Sequence, residues 1–197
     1  MRGIPTEPGE RIKVKICLIG EAAVGKTSLI RRYVLDEFDD GYITTLGAKI
    51  SKKELQMQMP GEESVLNMDM LIWDIMGEKR VRDLLREAFF LGTQGIIAVC
   101  DLLRYSSLGA LDEWVESVFQ VTGPIPVIYA INKADLRDEA IMLVGEREVD
   151  EYASAFDSPY YFTSARTGEN VEPVFYTLGE KVLEKILREQ VGVPAAH

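Results

Sequence analysis

The sequence predicts an α/β fold in which a mainly parallel sheet is covered by helices on both faces. Apolar, β-branched runs alternate with helical patterns along the second half of the chain, as they do in strand–helix–strand units. The runs at 95–100 and 126–131 are continuously apolar, which is typical of strands buried on both faces. Sheets of this kind bind their ligands at the carboxyl ends of the strands.

Each element is predicted from its own pattern. Six strands are indicated by apolar or β-branched residues, at 12–19, 48–59, 65–75, 95–100, 126–131 and 160–163. Five helices are indicated by periodicity or helical character, at 26–34, 79–91, 107–121, 146–156 and 171–191. A Pro-Gly turn separates the second and third strands, so we expect them to pair antiparallel as a long hairpin. The second helix is expected to carry Val81, Leu84, Leu85 and Ala88 on one face.

The chain is predicted to form one domain. Its 197 residues suffice for a full core, and they contain no linker or internal repeat. Residues 1–11 are expected to be a flexible leader, because this stretch holds two prolines and two glycines without periodicity. The domain then covers 12–191, and 192–197 form a short tail. Neither end carries a lipidation motif, so no lipid anchor is expected.

The composition argues against several classes of function. A formal net charge of -10 disfavours a general nucleic-acid or anionic-membrane binder. The one histidine is the last residue, so the chain cannot assemble a histidine triad or a histidine zinc site. Cys17 and Cys100 lie in apolar runs, which predicts free thiols in a reducing compartment. Since there is also no signal peptide and no long apolar span, we expect a cytoplasmic protein.

The segment from Gly20 to Thr27 carries the strongest chemical signal. It reads glycine, four residues, glycine, lysine and a hydroxyl, which is the spacing of a phosphate-binding P-loop, and it joins a predicted strand to a predicted helix. Glycines let the backbone curl so that successive N–H groups point at a polyphosphate. Lys26 is expected to place its ammonium on the outer phosphates, and Thr27 is expected to give its hydroxyl to Mg²⁺.

Two further segments follow predicted strands. Asp74 closes the third strand, where a carboxylate could hold Mg²⁺ directly or through water, and the N–H of Gly77 could approach a terminal phosphate. An ordinary acid–glycine turn is the alternative there. Asn132-Lys-Ala-Asp135 follows the fifth strand. An ionised Asp135 accepts hydrogen bonds only, so it suits the adjacent N1–H and amine of guanine and repels the N1 acceptor of adenine.

Taken in order with Ser164-Ala165-Arg166, these motifs resemble those of the Ras superfamily of small GTPases. The resemblance covers about 13–187, and Tyr42-Ile-Thr-Thr-Leu-Gly47 with Trp73-Asp74 brings it closest to the Rab branch and its archaeal Rab-like relatives. It implies a three-layer P-loop NTPase fold with a six-stranded, mostly parallel sheet. It also implies GTP or GDP as the ligand and Mg²⁺ as the cofactor.

The resemblance implies a role for each matching residue. Phe38 would lie against guanine and Tyr42 over the phosphates, while Thr45 and Gly77 would contact the γ-phosphate from opposite sides. The base and its surroundings would be met by Asn132, Lys133, Asp135, Ser164, Ala165 and Arg166. The phosphates would be met by Ala22, Ala23, Val24, Gly25, Lys26, Thr27 and Ser28. The implied metal ligands are Thr27, Thr45 and Asp74.

Two stretches, 36–45 and 74–86, resemble switch I and switch II. We expect the γ-phosphate to order them, hydrolysis to release them, and effector and regulator proteins to bind them. Switch II also carries basic side chains, at Lys79, Arg80, Arg82 and Arg86. Three interpretations of this cluster are open. It is a solvated helix face, or a surface that binds a partner protein, or one of its arginines reaches the phosphates of the bound nucleotide in the same chain.

The chain departs from the family pattern near the predicted reaction centre. Glu78 stands where the family usually has a water-orienting glutamine, and Met76 stands where the residue is usually small. Arg166 replaces a usual lysine, although the backbone carries the recognition at that position.

We predict a Mg²⁺-dependent guanine-nucleotide switch that slowly hydrolyses GTP. Its catalytic groups would be Lys26, Thr45 and Gly77 on the phosphates and Glu78 beside the attacking water. One alternative is a module that binds GTP and GDP with negligible hydrolysis, because Glu78 and Met76 disturb the water site. A second is a P-loop ATPase or kinase, which the acceptor-only Asp135 disfavours.

Overall fold

The computed structural model of the chain describes residues 11–39, 41, 44–59, 64–138, 144–154 and 158–191. Six strands lie in the described residues: β1 (Arg11–Ile19), β2 (Ala48–Gln58), β3 (Val65–Ile75), β4 (Gly95–Asp101), β5 (Val127–Asn132) and β6 (Tyr160–Phe162). The α-helices described are α1 (Lys26–Leu35), α2 (Lys79–Phe90), α3 (Tyr105–Gly109), α4 (Leu111–Thr122), α5 (Glu146–Ser154) and α6 (Val171–Val191). A 3₁₀ turn, Ala134–Leu136, follows β5.

The strands form one six-stranded sheet in the order β2-β3-β1-β4-β5-β6. β2 runs antiparallel to β3, and the other neighbouring strands are parallel. This confirms the predicted α/β fold and the predicted hairpin. Because β1, β3, β4 and β5 are parallel, their carboxyl ends meet at one edge of the sheet. The P-loop, Asp74, Asp101 and Asn132 all lie at that edge.

Hydrophobic cores on both faces of the sheet make the fold three-layered. Val14, Ile16 and Leu18 of β1 are fully buried in a core that α1 and α6 cover. Cys17 and Ile19, on the other face of the same strand, lie in a core covered by α2, α3, α4 and α5. Burial of each large aliphatic side chain contributes about 1.5–3 kcal/mol, so alternation along β1 ties both helical layers to one strand.

Three details differ from the expected elements. β1 begins at Arg11, the last residue of the predicted leader, because Arg11 pairs with Asn67 in register and its guanidinium contacts Asp69. The helix expected at 107–121 is divided into α3 and α4 directly after Gly109, a poor helix former.

The third difference concerns α2, whose expected apolar face is exposed at Leu84, Leu85 and Ala88, while the side chain of Val81 lies outside the described part of the structure. Leu84 is 82% exposed and Leu85 is 44% exposed, while Phe89 and Phe90 at the end of the helix enter the core. Among its described side chains, the helix therefore enters the core at its carboxyl end.

Neither cysteine is paired. Cys17 and Cys100 are both buried free thiols. Burial raises the pKa of Cys17 to about 11 and that of Cys100 to about 12, so both stay protonated at neutral pH. A search of the described residues finds no helix that is long and apolar enough to cross a membrane. The predicted tail, 192–197, and the leader up to residue 10 lie outside the described residues.

Candidate nucleotide-binding site

A cavity of about 760 Å³ opens at the carboxyl edge of the sheet. It is bounded by the P-loop, the predicted switch segments and the loops that follow β5 and β6. Most of the predicted site residues line it, namely Ala22, Ala23, Gly25, Lys26, Thr27, Ser28, Phe38, Thr45, Asp74, Gly77, Glu78, Asn132, Lys133, Asp135, Ala165 and Arg166. Val24 and Ser164 lie behind the lining and are buried. Tyr42 lies outside the described residues.

The P-loop backbone requires glycine at two points. Gly20 and Gly25 have φ values of 132° and 100°, which residues with a side chain rarely adopt. A Cβ on Gly25 would lie 2.2 Å from Nδ2 of Asn132, and one on Gly20 would lie 2.2 Å from the carbonyl oxygen of Val99. The glycines therefore let the loop pass directly against the next two strands of the sheet.

Lys26 is held by the loop that it follows. Its ammonium donates to the carbonyl oxygens of Gly20 at 2.8 Å and Glu21 at 2.7 Å, which occupies two of its three protons. Burial lowers the pKa of Lys26 to about 8, an effect that Asp74 opposes. The third proton of this buried ammonium has no partner among the described residues, and beside a cavity it is suited to an anionic ligand.

The side-chain oxygens of Thr27, Thr45 and Asp74 lie close together next to Lys26. The hydroxyl of Thr27 donates to Oδ2 of Asp74 at 2.6 Å and lies 3.0 Å from the hydroxyl oxygen of Thr45. Oδ1 of Asp74 is buried and makes no hydrogen bond with the described residues. Burial also raises the pKa of Asp74, because the carboxylate lacks sufficient compensation for lost water. A buried, unpartnered carboxylate oxygen beside two hydroxyls is the all-oxygen donor set that Mg²⁺ prefers.

Asn132 connects three loops at the other end of the cavity. It is buried, and its Nδ2 donates to the carbonyl oxygen of Val24 in the P-loop at 2.9 Å. Its Oδ1 accepts from the backbone N–H of Ala165 at 3.3 Å. Ser164 donates to Oδ1 of Asp135 at 2.6 Å, and the guanidinium of Arg166 lies 3.9 Å from Oδ2. The predicted base-recognition residues are thus assembled by hydrogen bonds among themselves.

Lys133 and Phe38 flank this end of the cavity. Lys133 adopts a left-handed backbone conformation with φ 69°, and its ammonium donates to Asp101 at the end of β4 at 2.7 Å. This ion pair leaves the aliphatic stem of Lys133 along the cavity wall. Phe38 lies half-buried against the core beneath α1 and α6.

The predicted switch II begins in contact with the P-loop. A Cβ on Gly77 would lie 2.4 Å from the backbone nitrogen of Ala22, so only glycine allows this approach. Met76 is half-buried, and its N–H donates to the carbonyl oxygen of Gly47 at 3.0 Å. Glu78 lines the cavity with an exposed side chain that makes no hydrogen bond or ion pair within the described part of the chain.

Two of the basic side chains in the predicted switch II contact α4. Lys79 pairs with Glu113 of α4, and Arg86 donates to Gln120 of the same helix. Neither residue lines the cavity. The side chain of Arg82 lies outside the described part of the structure.

Three residues of the site carry no motif and were not predicted. Asp101 fixes Lys133, Arg104 donates to the carbonyl oxygen of Ala22 at 2.8 Å, and Arg32 donates to that of Ala165 at 2.9 Å. Asp101 does carry a usable signal, since it ends an apolar strand just as Asp74 does. The two arginines carry none, because each acts on backbone that is distant in sequence.

Comparison with known proteins agrees with this geometry. The sequence pattern of the Ras family matches residues 15–184. The chain is 31% identical to Ras-related protein SEC4 of Candida albicans over 180 residues, which covers 91% of this chain and 81% of that protein. It is 32% identical to Ras-related protein Rab-7b of Bos taurus, with 90% and 86% of the two chains covered. It is 31% identical to Ras-related protein Rab-22A of Mus musculus, with 86% and 84% covered. The chain belongs to the Ras superfamily of small GTPases and is one of its Rab-like members.

Proposed function

We propose that this protein is a Mg²⁺-dependent guanine-nucleotide switch that hydrolyses GTP slowly. One observation carries the proposal: the same cavity is lined by the P-loop, by the oxygen-bearing side chains of Thr27, Thr45 and Asp74, and by the carboxylate of Asp135. Family membership supports GTP binding and hydrolysis in general. We propose in addition that binding depends on Mg²⁺, that hydrolysis is slow, and that the residues act as follows.

Guanine is selected by Asp135. Its carboxylate is held by Ser164 and has no donor to offer, so it accepts from N1–H and the exocyclic amine of guanine. Adenine presents an acceptor at N1, and the same carboxylate repels it. The N–H of Ala165 meets the guanine oxygen in place of its 3.3 Å bond to Asn132. These assignments disfavour the ATPase or kinase alternative.

The phosphates are held from three sides. Successive N–H groups of the P-loop and the third proton of Lys26 bind the β- and γ-phosphates. Thr27, Thr45 and Asp74 hold Mg²⁺, which when bound neutralises charge that develops on the phosphate oxygens. The N–H of Gly77 meets the γ-phosphate from switch II. Because Thr45 and Gly77 lie on separate segments, a γ-phosphate tethers both, and its loss releases them.

Hydrolysis depends on Glu78. Its exposed carboxylate lines the cavity, and it can accept a hydrogen bond from an attacking water but cannot donate one to a phosphate oxygen. It also adds negative charge beside an anionic transition state, which Lys26 partly offsets. Because Glu78 can accept a hydrogen bond from the water but cannot donate one to the phosphate, we expect a slow intrinsic rate of GTP hydrolysis. The alternative, a binding module without hydrolysis, requires that this charge and the bulk of Met76 exclude the water.

The switch segments are also the proposed surface for effector and regulator proteins. Leu46 is 85% exposed and Leu84 is 82% exposed, and these residues lie in or directly beside switch I and switch II. Such exposed apolar side chains favour a protein partner.

Isothermal titration with GDP, GTP and ATP, each with and without Mg²⁺, tests the proposal. We expect tight binding of GDP and GTP, much weaker binding of ATP, and loss of affinity when Mg²⁺ is chelated. Asp74→Asn keeps the shape of the side chain and removes its charge, so it should abolish most of the Mg²⁺ dependence. Equal affinity for ATP and GTP would contradict the base assignment. Absence of phosphate release over a long single-turnover incubation would favour the binding-module alternative.

A further inference from the structure

Arg104 reaches the P-loop from the segment that joins β4 to α3. Its Nη2 donates to the carbonyl oxygen of Ala22 at 2.8 Å, across 82 positions of sequence. The same nitrogen lies 3.9 Å from the carboxylate of Glu21. Arg104 does not line the cavity, whereas Ala22 and Ala23 do. The arginine therefore holds the loop from its outer side.

The held carbonyl belongs to the peptide bond that leads into Ala23. No described peptide bond is cis, and in a trans peptide the C=O and the following N–H point in opposite directions. With its oxygen fixed on Arg104 outside the cavity, this peptide directs the N–H of Ala23 inward. A hydrogen bond from a cationic guanidinium also polarises the peptide, which strengthens that N–H as a donor.

Ala23 needs such a support. Its φ of 62° lies in the left-handed region, which is unfavourable for a residue with a Cβ. A strained conformation persists where the surroundings hold it, and the bond from Arg104 acts on the carbonyl immediately before the strained residue.

We propose that Arg104 is a positioning residue of the phosphate site, which orients the Ala22–Ala23 peptide so that the Ala23 N–H binds the polyphosphate. This inference rests on the proposed function, because it requires a guanine nucleotide in the cavity. The proposed role of Arg104 is in binding the β- and γ-phosphates, and recognition of the base does not depend on it. Its ligand is the phosphoanhydride portion of GDP or GTP, and a nucleoside monophosphate lacks that portion.

The test compares GDP with GMP in competition titrations at fixed Mg²⁺. Arg104→Ala should weaken GDP about tenfold, as expected for loss of a charge-assisted hydrogen bond, and should leave GMP within about twofold. Arg104→Lys keeps the charge and one donor nitrogen, so it should restore part of the GDP affinity. Arg147→Ala is the matched control, because Arg147 is a highly exposed arginine paired only with Glu151 among the described residues.

Thermal unfolding of each variant without nucleotide checks the fold. If Arg104→Ala does not fold, Arg104→Lys alone should still weaken GDP by about threefold with GMP unchanged. Equal weakening of GDP and GMP would overturn the inference, since it would indicate a general structural role. Unchanged GDP affinity in Arg104→Ala would overturn it as well. A wild-type protein that binds no GDP would overturn the proposed function along with it.

Discussion

The contribution of Lys26 to the stability of the nucleotide-free protein should rise between pH 7 and pH 9. Burial lowers the pKa of Lys26 from 10.5 to about 8 in the folded state. Between these two values the unfolded chain binds more protons than the folded one, so stability rises with pH. The cost of burying the ammonium is present in full below the folded pKa, and it is relieved as the pH rises through that value.

The size of the effect follows from the two pKa values. With about 8 in the folded state and 10.5 in the unfolded state, the contribution of Lys26 changes by about 1.4 kcal/mol from pH 7 to pH 9. A bound diphosphate is an anionic partner that keeps Lys26 protonated, so the GDP complex should not show this gain. The affinity for GDP should therefore fall about tenfold over the same interval.

Urea unfolding of nucleotide-free wild type and Lys26→Met at pH 7, 8 and 9 measures the change in the free energy of unfolding. Methionine keeps the unbranched stem without the charge, and the difference between the two proteins removes contributions of other groups. Calorimetric titration with GDP at the same pH values measures the expected fall in affinity. A difference in stability that is flat or falls with pH would show that the ammonium is not buried at a cost, and the reasoning would fail.

Three further predictions address the proposed roles. Asp135→Asn should weaken GDP binding by about 2–4 kcal/mol and favour xanthine nucleotides, whose C2 oxygen accepts from the new amide, whereas exposed Asp138→Asn should leave binding unchanged. Thr45→Ala should retain GDP binding, yet hydrogen exchange across 36–45 should stay fast with a GTP analogue; equal protection in wild-type GDP and GTP-analogue complexes would refute the switch. Glu78→Ala should slow single-turnover hydrolysis about tenfold or more without changing GTP affinity, while Glu78→Gln restores a donor; equal rates in all three proteins would exclude Glu78 from catalysis.

Local patterns predicted the sheet and most of the residues that line the cavity, because each motif follows a strand and parallel strands bring their ends together. Periodicity failed for α2, since an apolar face is buried only where another element packs on it, and Leu84 has no such neighbour among the described residues. Long-range polar contacts could not be predicted from the sequence, for a different reason. Arg104 meets Ala22 only because β4 lies next to β1 in the sheet, and that strand order is not encoded in either local sequence.

The two ends of the site are built differently, and this bears on the remaining alternative. At the base end, Asn132 is buried and its Nδ2 is bonded to the P-loop carbonyl oxygen of Val24, so its side chain is positioned before any ligand binds. At the γ-phosphate end, Glu78 is exposed and makes no hydrogen bond or ion pair within the described part of the chain, so nothing described there fixes its carboxylate before a ligand binds. Guanine recognition and hydrolysis can therefore change independently. A chain that lost hydrolysis through Glu78 would keep its nucleotide specificity, and single-turnover rates, rather than affinities, distinguish a slow GTPase from a module that only binds.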